Sequence, residues 1–195
     1  MKLKNISLLI MVTTMLIGCG GNDYSPKPQA YLRIDMPEHK YTPTDSLPFS
    51  FEKNALSQIN LKKDHANEVW VDLVYPKWDG VVFLTYKRLA GPEDLRGQTD
   101  TSTRLMESHY QFASGIDEQL FESDDHTVHA VRWHIKGKNV ASSYQFYATD
   151  SLHHFLRGAL YINRIPNNDS LAPVLEYLQA DIDHLIETLR WKKYN

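Results

Sequence analysis

The chain has 195 residues, and 24 acidic residues slightly outnumber 21 Lys and Arg residues, which gives a formal net charge of −3. This mild acidity argues against a nucleic-acid-binding protein and against a basic surface that would grip anionic lipids. Cys19 is the one cysteine of the sequence, so the chain offers neither a disulfide framework nor a CxxC redox motif.

The first 18 residues have the organisation of a bacterial lipoprotein signal peptide. Lys2 and Lys4 form a basic start, and the hydrophobic run that follows, 6–17, is too short to span a bilayer. The run ends in LIGC (16–19), which is typical of a lipobox with cleavage before Cys19. We therefore expect removal of 1–18, acylation of Cys19 with chains such as palmitate, and a protein held at a membrane outside the cytoplasm.

A short tether is predicted after the anchor, over 19–29. Its sequence GGNDYSPKPQ (20–29) is rich in Gly, Pro and polar residues and has no periodicity. Ten such residues reach at most about 35 Å, enough to lift a domain just off the headgroups. The remaining stretch, 30–195, is long enough for a single well-buried globular domain.

Strands dominate the first half of this domain. Alternating polar and apolar residues and turn signals predict four strands, at 30–36, 48–52, 68–75 and 80–89. A turn built on Pro76 and Asp79 joins the last two. The run VVFLTY in 80–89 is apolar on both faces, so we expect both faces of the sheet to be covered.

The period then changes to that of a helix. Leu105, His109, Phe112 and Ile116 recur every three or four residues, which predicts an amphipathic helix over 95–116.

The second half of the domain repeats the pattern of strands followed by a helix. The segments 126–135 and 140–150 are predicted to form a hairpin around the turn KGKN (136–139), and 155–165 follows as a strand. The clearest helix is 170–191, with Pro173 expected in its first turn.

This order of elements predicts an α+β fold with a mostly antiparallel β-sheet covered by helices, an α/β/α sandwich. The Mog1/PsbP-like fold has the same order of elements, which is an analogy.

The segment DSLHHFLRGALY (150–161) raises the question of a metal or hydrolytic site. Adjacent residues of a strand point to opposite faces, so His153 and His154 do not suit a shared metal ion. Asp150, Ser151 and His153 are too close in sequence to converge as a catalytic triad. We expect no metal site, no cofactor and no catalytic residues.

The same alternation separates the histidines of 126–135. His126 and His134 share a face but lie about 26 Å apart along a strand, too far apart to chelate one ion. His129 shares the other face with Val131 and Trp133. We therefore expect His129 to be a hydrogen-bonded core histidine.

Arg157 is the residue of this segment to examine first. A guanidinium at a part-buried strand position requires a carboxylate or several carbonyls, and Asp150, Asp169 or Asp35 could supply the carboxylate. Arg157 then either ties a strand to a helix or binds a ligand or partner, and both alternatives stay open. Gly158 is expected to let a bulky side chain or the backbone approach closely.

The C-terminal third resembles a known family. The segment QFYATDSLHHFLRGALYINRIPNNDSLAPVLEYLQADIDHLIETLRW (145–191) resembles the gliding-motility lipoprotein GldD of the Bacteroidetes. That family's pattern has a TDS…HF.RGALYF segment and then N.DSL.PV..Y…DI.HLI.T.RW. SPKPQAYLRIDMPEHKY (25–41) and PFSFE (48–52) resemble the family's opening, so the resemblance covers almost the whole chain after Cys19.

The resemblance implies a non-enzymatic cell-envelope lipoprotein that is needed for gliding motility and the linked type IX secretion machinery, as an assembly or stabilising factor. Its partners would be other envelope lipoproteins and machinery subunits, with the membrane reached through the lipid anchor and the domain facing the periplasm. The family supplies no catalytic residues to carry over. The alternative is an envelope hydrolase or small-ligand-binding domain that uses a pocket near Arg157, with His153 and Tyr161.

Overall fold

The computed structural model describes residues 35–65, 67–163 and 168–193, which belong to a unit spanning Ile34–Asn195. The predicted signal peptide, Cys19, the tether 19–29 and most of the predicted strand 30–36 lie outside these residues. Within the described ranges, no helix is long and apolar enough to cross a membrane.

The elements follow one another along the chain with short connections. In chain order they are β1 (Tyr41–Thr44), β2 (Phe49–Asn54), β3 (Gln58–His65), β4 (Glu68–Tyr75), β5 (Gly80–Arg88), α1 (Pro92–Glu107), β6 (Gly115–Glu122), β7 (His129–Lys136), β8 (Tyr144–Thr149), β9 (His154–Ile162), α2 (Asn168–Glu187) and β10 (Arg190–Trp191).

The strands form two antiparallel sheets. The large sheet has the order β3-β4-β5-β9-β8-β7-β6, and the small sheet has the order β1-β2-β10. β5 pairs with β9 over nine residues, from Gly80 opposite Ile162 to Arg88 opposite His154. The predicted α+β class with a mostly antiparallel sheet is confirmed.

One face of the large sheet, the inner face, is buried beneath α2 and the small sheet. In β4 the alternate residues Val69, Val71 and Leu73 are buried in this core. α2 contributes a stripe at helical spacing, including Leu178, Ile182 and Leu185, and β2 adds Phe49 and Phe51 of the small sheet.

The opposite face, the outer face, is covered over only part of its width. α1 contacts β8 and β9, and its Met106 packs with Trp133 and Ile135 of β7. Over β4 and β5 the outer face stays exposed, with Trp70 45% and Phe83 43% accessible. Within the described residues, the expected cover is therefore missing over these two strands, because α1 packs on β8 and β9 instead.

The helix predicted over 95–116 is a shorter helix followed by a strand. α1 ends at Glu107, and β6 then pairs with β7 without interruption from Gly115 to Glu122. Pro92 lies in the first turn of the helix, where its missing N–H costs little. The helical spacing of Phe112 and Ile116 was fortuitous, because the chain changes direction in the turn between them and α1.

The other predicted elements lie close to the observed ones. The strands expected at 48–52, 68–75, 80–89, 126–135, 140–150 and 155–165 correspond to β2, β4, β5, β7, β8 and β9. The turn on Asp79 is confirmed, with a φ of 56° that Asp tolerates better than most residues. The helix predicted over 170–191 is α2, which spans Asn168–Glu187, so Pro173 lies inside the helix and not in its first turn. Its predicted end is wrong, because Arg190 and Trp191 pair with β2 as β10.

Gly158 has the close contact that its position in the strand predicted. It lies directly opposite Phe146 of β8. A Cβ atom at Gly158 would lie 2.0 Å from Phe146 Cε1, so the ring occupies the space above the glycine. The pair fills the inner face at the centre of the sheet.

Candidate functional site

The loop between β8 and β9 is organised by one carboxylate. Asp150 Oδ1 accepts hydrogen bonds from the backbone N–H groups of Leu152, His153 and His154 at 3.0, 2.8 and 2.8 Å. Burial raises the pKa of Asp150, but these hydrogen bonds outweigh it and hold the pKa below its ordinary value. The carboxylate therefore fixes the loop in which the histidine pair begins.

The two adjacent histidines have different surroundings. The His153 side chain is 64% exposed and lies 3.8 Å from Asp150 Oδ2. His154 is buried, with Nδ1 2.8 Å from Tyr86 Oη and its ring stacked on Trp191 at 5.1 Å. Among the residues that the structure describes, no three His, Cys, Asp or Glu side chains are grouped to hold a metal ion.

His129 is not the core histidine that its strand neighbours suggested. Its side chain is 42% exposed, and its Nδ1 lies 3.7 Å from Glu122 Oε1 of the edge strand β6. His129 is the first residue of β7. α1 covers Trp133, further along this strand, but does not extend over His129.

Arg157 lies on the outer face, where its partner is an amide. Its Nη2 donates a 2.6 Å hydrogen bond to Gln145 Oε1 of β8. The sequence predicted a carboxylate from Asp150, Asp169 or Asp35, but Asp150 is engaged by its own loop, and the described contact of Arg157 is the neutral side chain of Gln145. Burial lowers the pKa of Arg157, an effect that nearby Tyr161 partly offsets.

Tyr161 lies on the same face as Arg157, four residues further along β9. Its ring centroid is 5.5 Å from that of Phe83 on β5. Thus Arg157, His153 and Tyr161 occupy three different environments: a hydrogen bond to Gln145, an exposed loop and the open part of the sheet. The structure does not bring them together as one site.

The exposed part of the outer face carries a row of aromatic side chains. Phe83 is opposite Asp72 in the β4–β5 register, two residues from the Trp70–Thr85 pair, so Trp70 and Phe83 are diagonal neighbours. We call the surface formed by Trp70, Val81, Phe83 and Tyr161 the open aromatic face.

Charged side chains that are paired with one another border the Trp70 side of the open aromatic face. Lys63 Nζ lies 4.6 Å from the Trp70 ring and contacts Glu68. Lys62 lies 3.4 Å from Asp72, and Lys87 lies 3.9 Å from Glu68. These charges are paired with one another, and Asp72, the direct cross-strand neighbour of Phe83, lies within the aromatic surface and not at its edge.

A second surface feature is a cleft of about 700 Å³ at the end of the large sheet where β5 finishes and β9 starts. Four cationic side chains line it, Arg88, Arg190, Lys192 and Lys193. Trp191 and Leu152 add apolar surface. We call this the basic cleft. His153 lines it, whereas Arg157 and Tyr161 do not.

The two carboxylates of the basic cleft are held by hydrogen bonds within their own loops. Asp125 Oδ1 accepts from Ser123 Oγ at 2.7 Å and from Thr127 Oγ1 at 2.8 Å. These hydrogen bonds lower the pKa of Asp125 to about 2. Asp150 is engaged by the three backbone N–H groups described above. The cleft therefore has more cationic than anionic side chains, and its carboxylates already have donors.

A buried polar network, which sequence reasoning missed, connects α2 to the small sheet. Asp181 is 3% exposed and accepts from Asn54 Nδ2 at 2.9 and 3.0 Å, and His39 Nδ1 lies 2.6 Å from it. Burial, with the negative charge of Asp181, raises the pKa of Tyr75. No local sequence signal marks this network, because Asn54 lies 127 residues from Asp181.

Comparison with known proteins adds the family. The model of the family described as gliding motility lipoprotein GldD matches residues 21–191, which is most of the chain. A search of curated proteins finds no match. The match spans the small sheet, both helices and the loop that Asp150 organises. The chain belongs to the gliding motility lipoprotein GldD family.

Proposed function

We propose that this protein is a non-enzymatic factor that assembles or stabilises the gliding and type IX secretion machinery by docking a protein subunit on its open aromatic face. Lipidated Cys19 would hold it at the membrane with the domain facing the periplasm. Membership of the family gives the envelope lipoprotein and its part in gliding motility. The proposal adds the mode of action and the surface.

The observation that carries the proposal is a mismatch between sequence pattern and burial. The first half of β5 is apolar on both faces, as strands covered on both sides are, and Thr85 and Lys87 continue its outer face. Yet Phe83 is exposed, and α1 covers the neighbouring strands β8 and β9. The apolar outer residues of such a strand are normally buried. Because α1 leaves them exposed in the described part of the fold, they favour a partner protein that covers the outer face of β5.

The composition of this face fits a protein partner. Interfaces are enriched in Trp and Tyr at a central apolar area, and polar groups surround that area. Trp70, Phe83 and Tyr161 supply such aromatic side chains, the pair of Lys63 with Glu68 lies beside Trp70, and the pair of Lys62 with Asp72 adds a polar contact point opposite Phe83.

The polar residues that first suggested catalysis have structural contacts instead. Asp150 fixes its loop, His154 is joined to Tyr86, and Arg157 is joined to Gln145. A hydrolytic relay needs a nucleophile, a base and an orienting group within hydrogen-bond reach of one another. Tyr161 acts electrostatically on Arg157, but His153 lies in the loop before β9 and lines the basic cleft instead, and this supports a role without catalysis.

The test replaces the aromatic centre without changing the anchor. Trp70→Ser with Phe83→Ser, introduced at the native locus, is expected to abolish gliding and to reduce secretion by the type IX route, while the membrane-bound amount of protein stays near normal. The matched control is Leu105→Ser with Leu120→Ser, because these side chains are 45% and 76% exposed and lie elsewhere on the surface. The control variant is expected to glide normally.

A photo-crosslinking residue at position 83 identifies the occupant. We expect a crosslink to a subunit of the gliding or type IX secretion machinery, and none from the same residue placed at 120. Normal gliding of the aromatic double variant would contradict the proposal. So would a crosslink from position 83 to residues 20–34 of the same chain, because the open face would then be covered from within.

A further inference from the structure

The basic cleft has a composition that the docking role does not explain. It lies at the end of the sheet where β5 finishes, and the open aromatic face lies on the outer surface of β4, β5 and β9. Its cationic side chains come from separate segments, Arg88 from the end of β5 and Arg190 to Lys193 from β10 and the residues after it.

The electrostatic balance of the cleft is positive. Arg190 Nη1 donates to the backbone oxygens of Leu189 and Glu187 at 2.7 and 3.4 Å, and Lys192 Nζ donates to the backbone oxygen of Asp45. These acceptors are neutral, whereas Asp125 interacts electrostatically with Arg190, so the positive balance of the cleft is that of four cationic side chains against two carboxylates. The two acidic residues, Asp125 and Asp150, accept hydrogen bonds within their own loops.

His154 lies on the wall of this cleft. Burial lowers the pKa of His154; among the charges, Asp150 has the largest effect and raises the pKa, while His153 and Arg88 lower it. A protonated imidazole is thus disfavoured mainly because the ring is buried.

We propose that the basic cleft binds a phosphate group, carried either by a water-soluble phosphate ester or by a phospholipid headgroup. Arg190, Lys192 and Arg88 would contact the phosphate oxygens, since guanidinium and ammonium groups together suit a dianion better than a single carboxylate. Trp191, stacked on His154, lies beside the site and offers a flat apolar surface to the rest of the ligand.

Leu152 distinguishes the two sources of the phosphate. It lines the cleft at the tip of the loop that Asp150 fixes, and it is 66% exposed. An exposed apolar side chain next to cations suits insertion among lipid headgroups. It adds nothing to the binding of a small water-soluble phosphate.

The test uses the chain from residue 19 with Cys19→Ser, which lacks acyl chains and therefore reports the cleft without the anchor. Calorimetric titration with inorganic pyrophosphate is expected to show binding that weakens as salt increases. Arg190→Gln with Lys192→Gln should weaken this binding about tenfold or more, the cost of losing charge-assisted hydrogen bonds. The control, Arg96→Gln with Arg104→Gln on α1, removes the same charge elsewhere and should bind normally.

A second variant keeps the test decisive if the first one fails to fold. Asp125→Asn removes a negative charge from the cleft and is expected to tighten pyrophosphate binding about threefold. A Tm measurement on each variant separates unfolding from loss of the site.

Vesicles identify the source of the phosphate. Co-sedimentation with phosphatidylcholine vesicles that contain phosphatidic acid, beyond that with phosphatidylcholine alone, together with loss of this excess in Leu152→Ser, would assign a headgroup. Pyrophosphate binding without vesicle binding would assign a soluble ester. If wild type binds neither probe, or if the folded Arg190 and Lys192 double variant binds as well as wild type, the proposal is wrong. The docking proposal would be unaffected.

Discussion

The carboxylate of Asp150 shows how a residue that resembles catalytic apparatus can serve the fold. It accepts the backbone N–H groups of three successive residues, so the chain can leave β8, turn and enter β9 with those groups satisfied. Ser151, which lies between Asp150 and these three residues, has a φ of 65°. This backbone conformation is unfavourable for a residue other than glycine, so the surrounding loop has to maintain it. The most distinctive segment of the sequence is thus a structural turn.

The sequence alone could not identify the hydrogen-bond partner of Arg157, because that partner depends on the register between β8 and β9. Arg157 was expected to meet a carboxylate or several carbonyls, and the structure pairs it with the amide oxygen of Gln145, two residues from Tyr147, its direct neighbour across β8 and β9. Gln145 became a candidate only once that register was known. His153 and His154 do have different surroundings, but the reason is that His153 lies in the loop and His154 is the first residue of β9.

The buried imidazole of His154 makes a prediction about pH. Its pKa is lowered in the fold from 6.5, so the unfolded chain takes up a proton at a higher pH than the folded chain does. The free energy of unfolding should therefore fall as the pH drops below 6.5, until the lower folded pKa has been passed. Tyr86, Asp150, His153, Arg88 and Trp191 surround the ring.

Urea unfolding at pH 7.5 and pH 5.5 measures this effect. Wild type is expected to lose more stability between the two values than His154→Gln, which cannot titrate there and can still contact Tyr86. Equal losses in the two proteins would mean that His154 has an ordinary pKa in the fold. The comparison with the variant removes contributions from the other histidines.

Among the elements, those that face the core were predictable and those at the edges were not. β4 and β5 alternate with buried residues and matched their predicted bounds closely. β3 and β6 are the two edge strands of the large sheet, and neither was predicted. β3 has a register shift between Leu61 and Lys63 that interrupts its period of two. β6 exposes Leu120, so its pattern lacks a buried face.

The pair of Gly158 and Phe146 predicts the response of the central strands to one methyl group. Gly158→Ala places a Cβ atom against the Phe146 ring, which neighbouring strands hold in place. We expect a loss of about 2–3 kcal/mol in the free energy of unfolding, because overpacking forces side chains or backbone to move. Gly97→Ala is the matched control, since nothing lies within 4 Å of its new Cβ. Because Gly97 lies in helix α1, this control substitution should raise the free energy of unfolding by about 0.5–1 kcal/mol.

A smaller side chain at position 146 tests whether the Phe146 ring causes the destabilisation by Gly158→Ala. Phe146→Leu combined with Gly158→Ala should be more stable than the sum of the two single changes, because the smaller side chain makes room for the methyl group. Chemical denaturation of the four proteins gives this coupling. Strict additivity would show that the ring is not what excludes a side chain at position 158.

At the scale of the whole molecule, the two faces of the large sheet differ in what this chain supplies to cover them. The inner face receives both α2 and the small sheet, tied together by the network around Asp181. Among the residues that the structure describes, the outer face receives α1 over part of its width. The sequence predicted both layers of a sandwich from the apolar pattern of β5, and it could not say that one layer would be incomplete. That apolar pattern is the reason for expecting a partner there.

The anchor and the open aromatic face are expected to be separately necessary. Cys19→Ser should leave the fold intact and move the protein from the membrane fraction to the soluble fraction, because a multiply acylated cysteine holds a protein stably and the acyl chains are lost. Gliding should then stop, since a docking surface released from the membrane is diluted away from its partner.

The aromatic double variant, Trp70→Ser with Phe83→Ser, should stay in the membrane fraction and should also fail to glide. Membrane fractionation and gliding speed, measured on both strains, distinguish these two failures. A Cys19→Ser strain that glides normally would show that attachment is dispensable for the function. Restoration of gliding in that strain by a fused transmembrane segment would instead show that the acyl chains act by concentrating the open aromatic face at the membrane, where docking takes place.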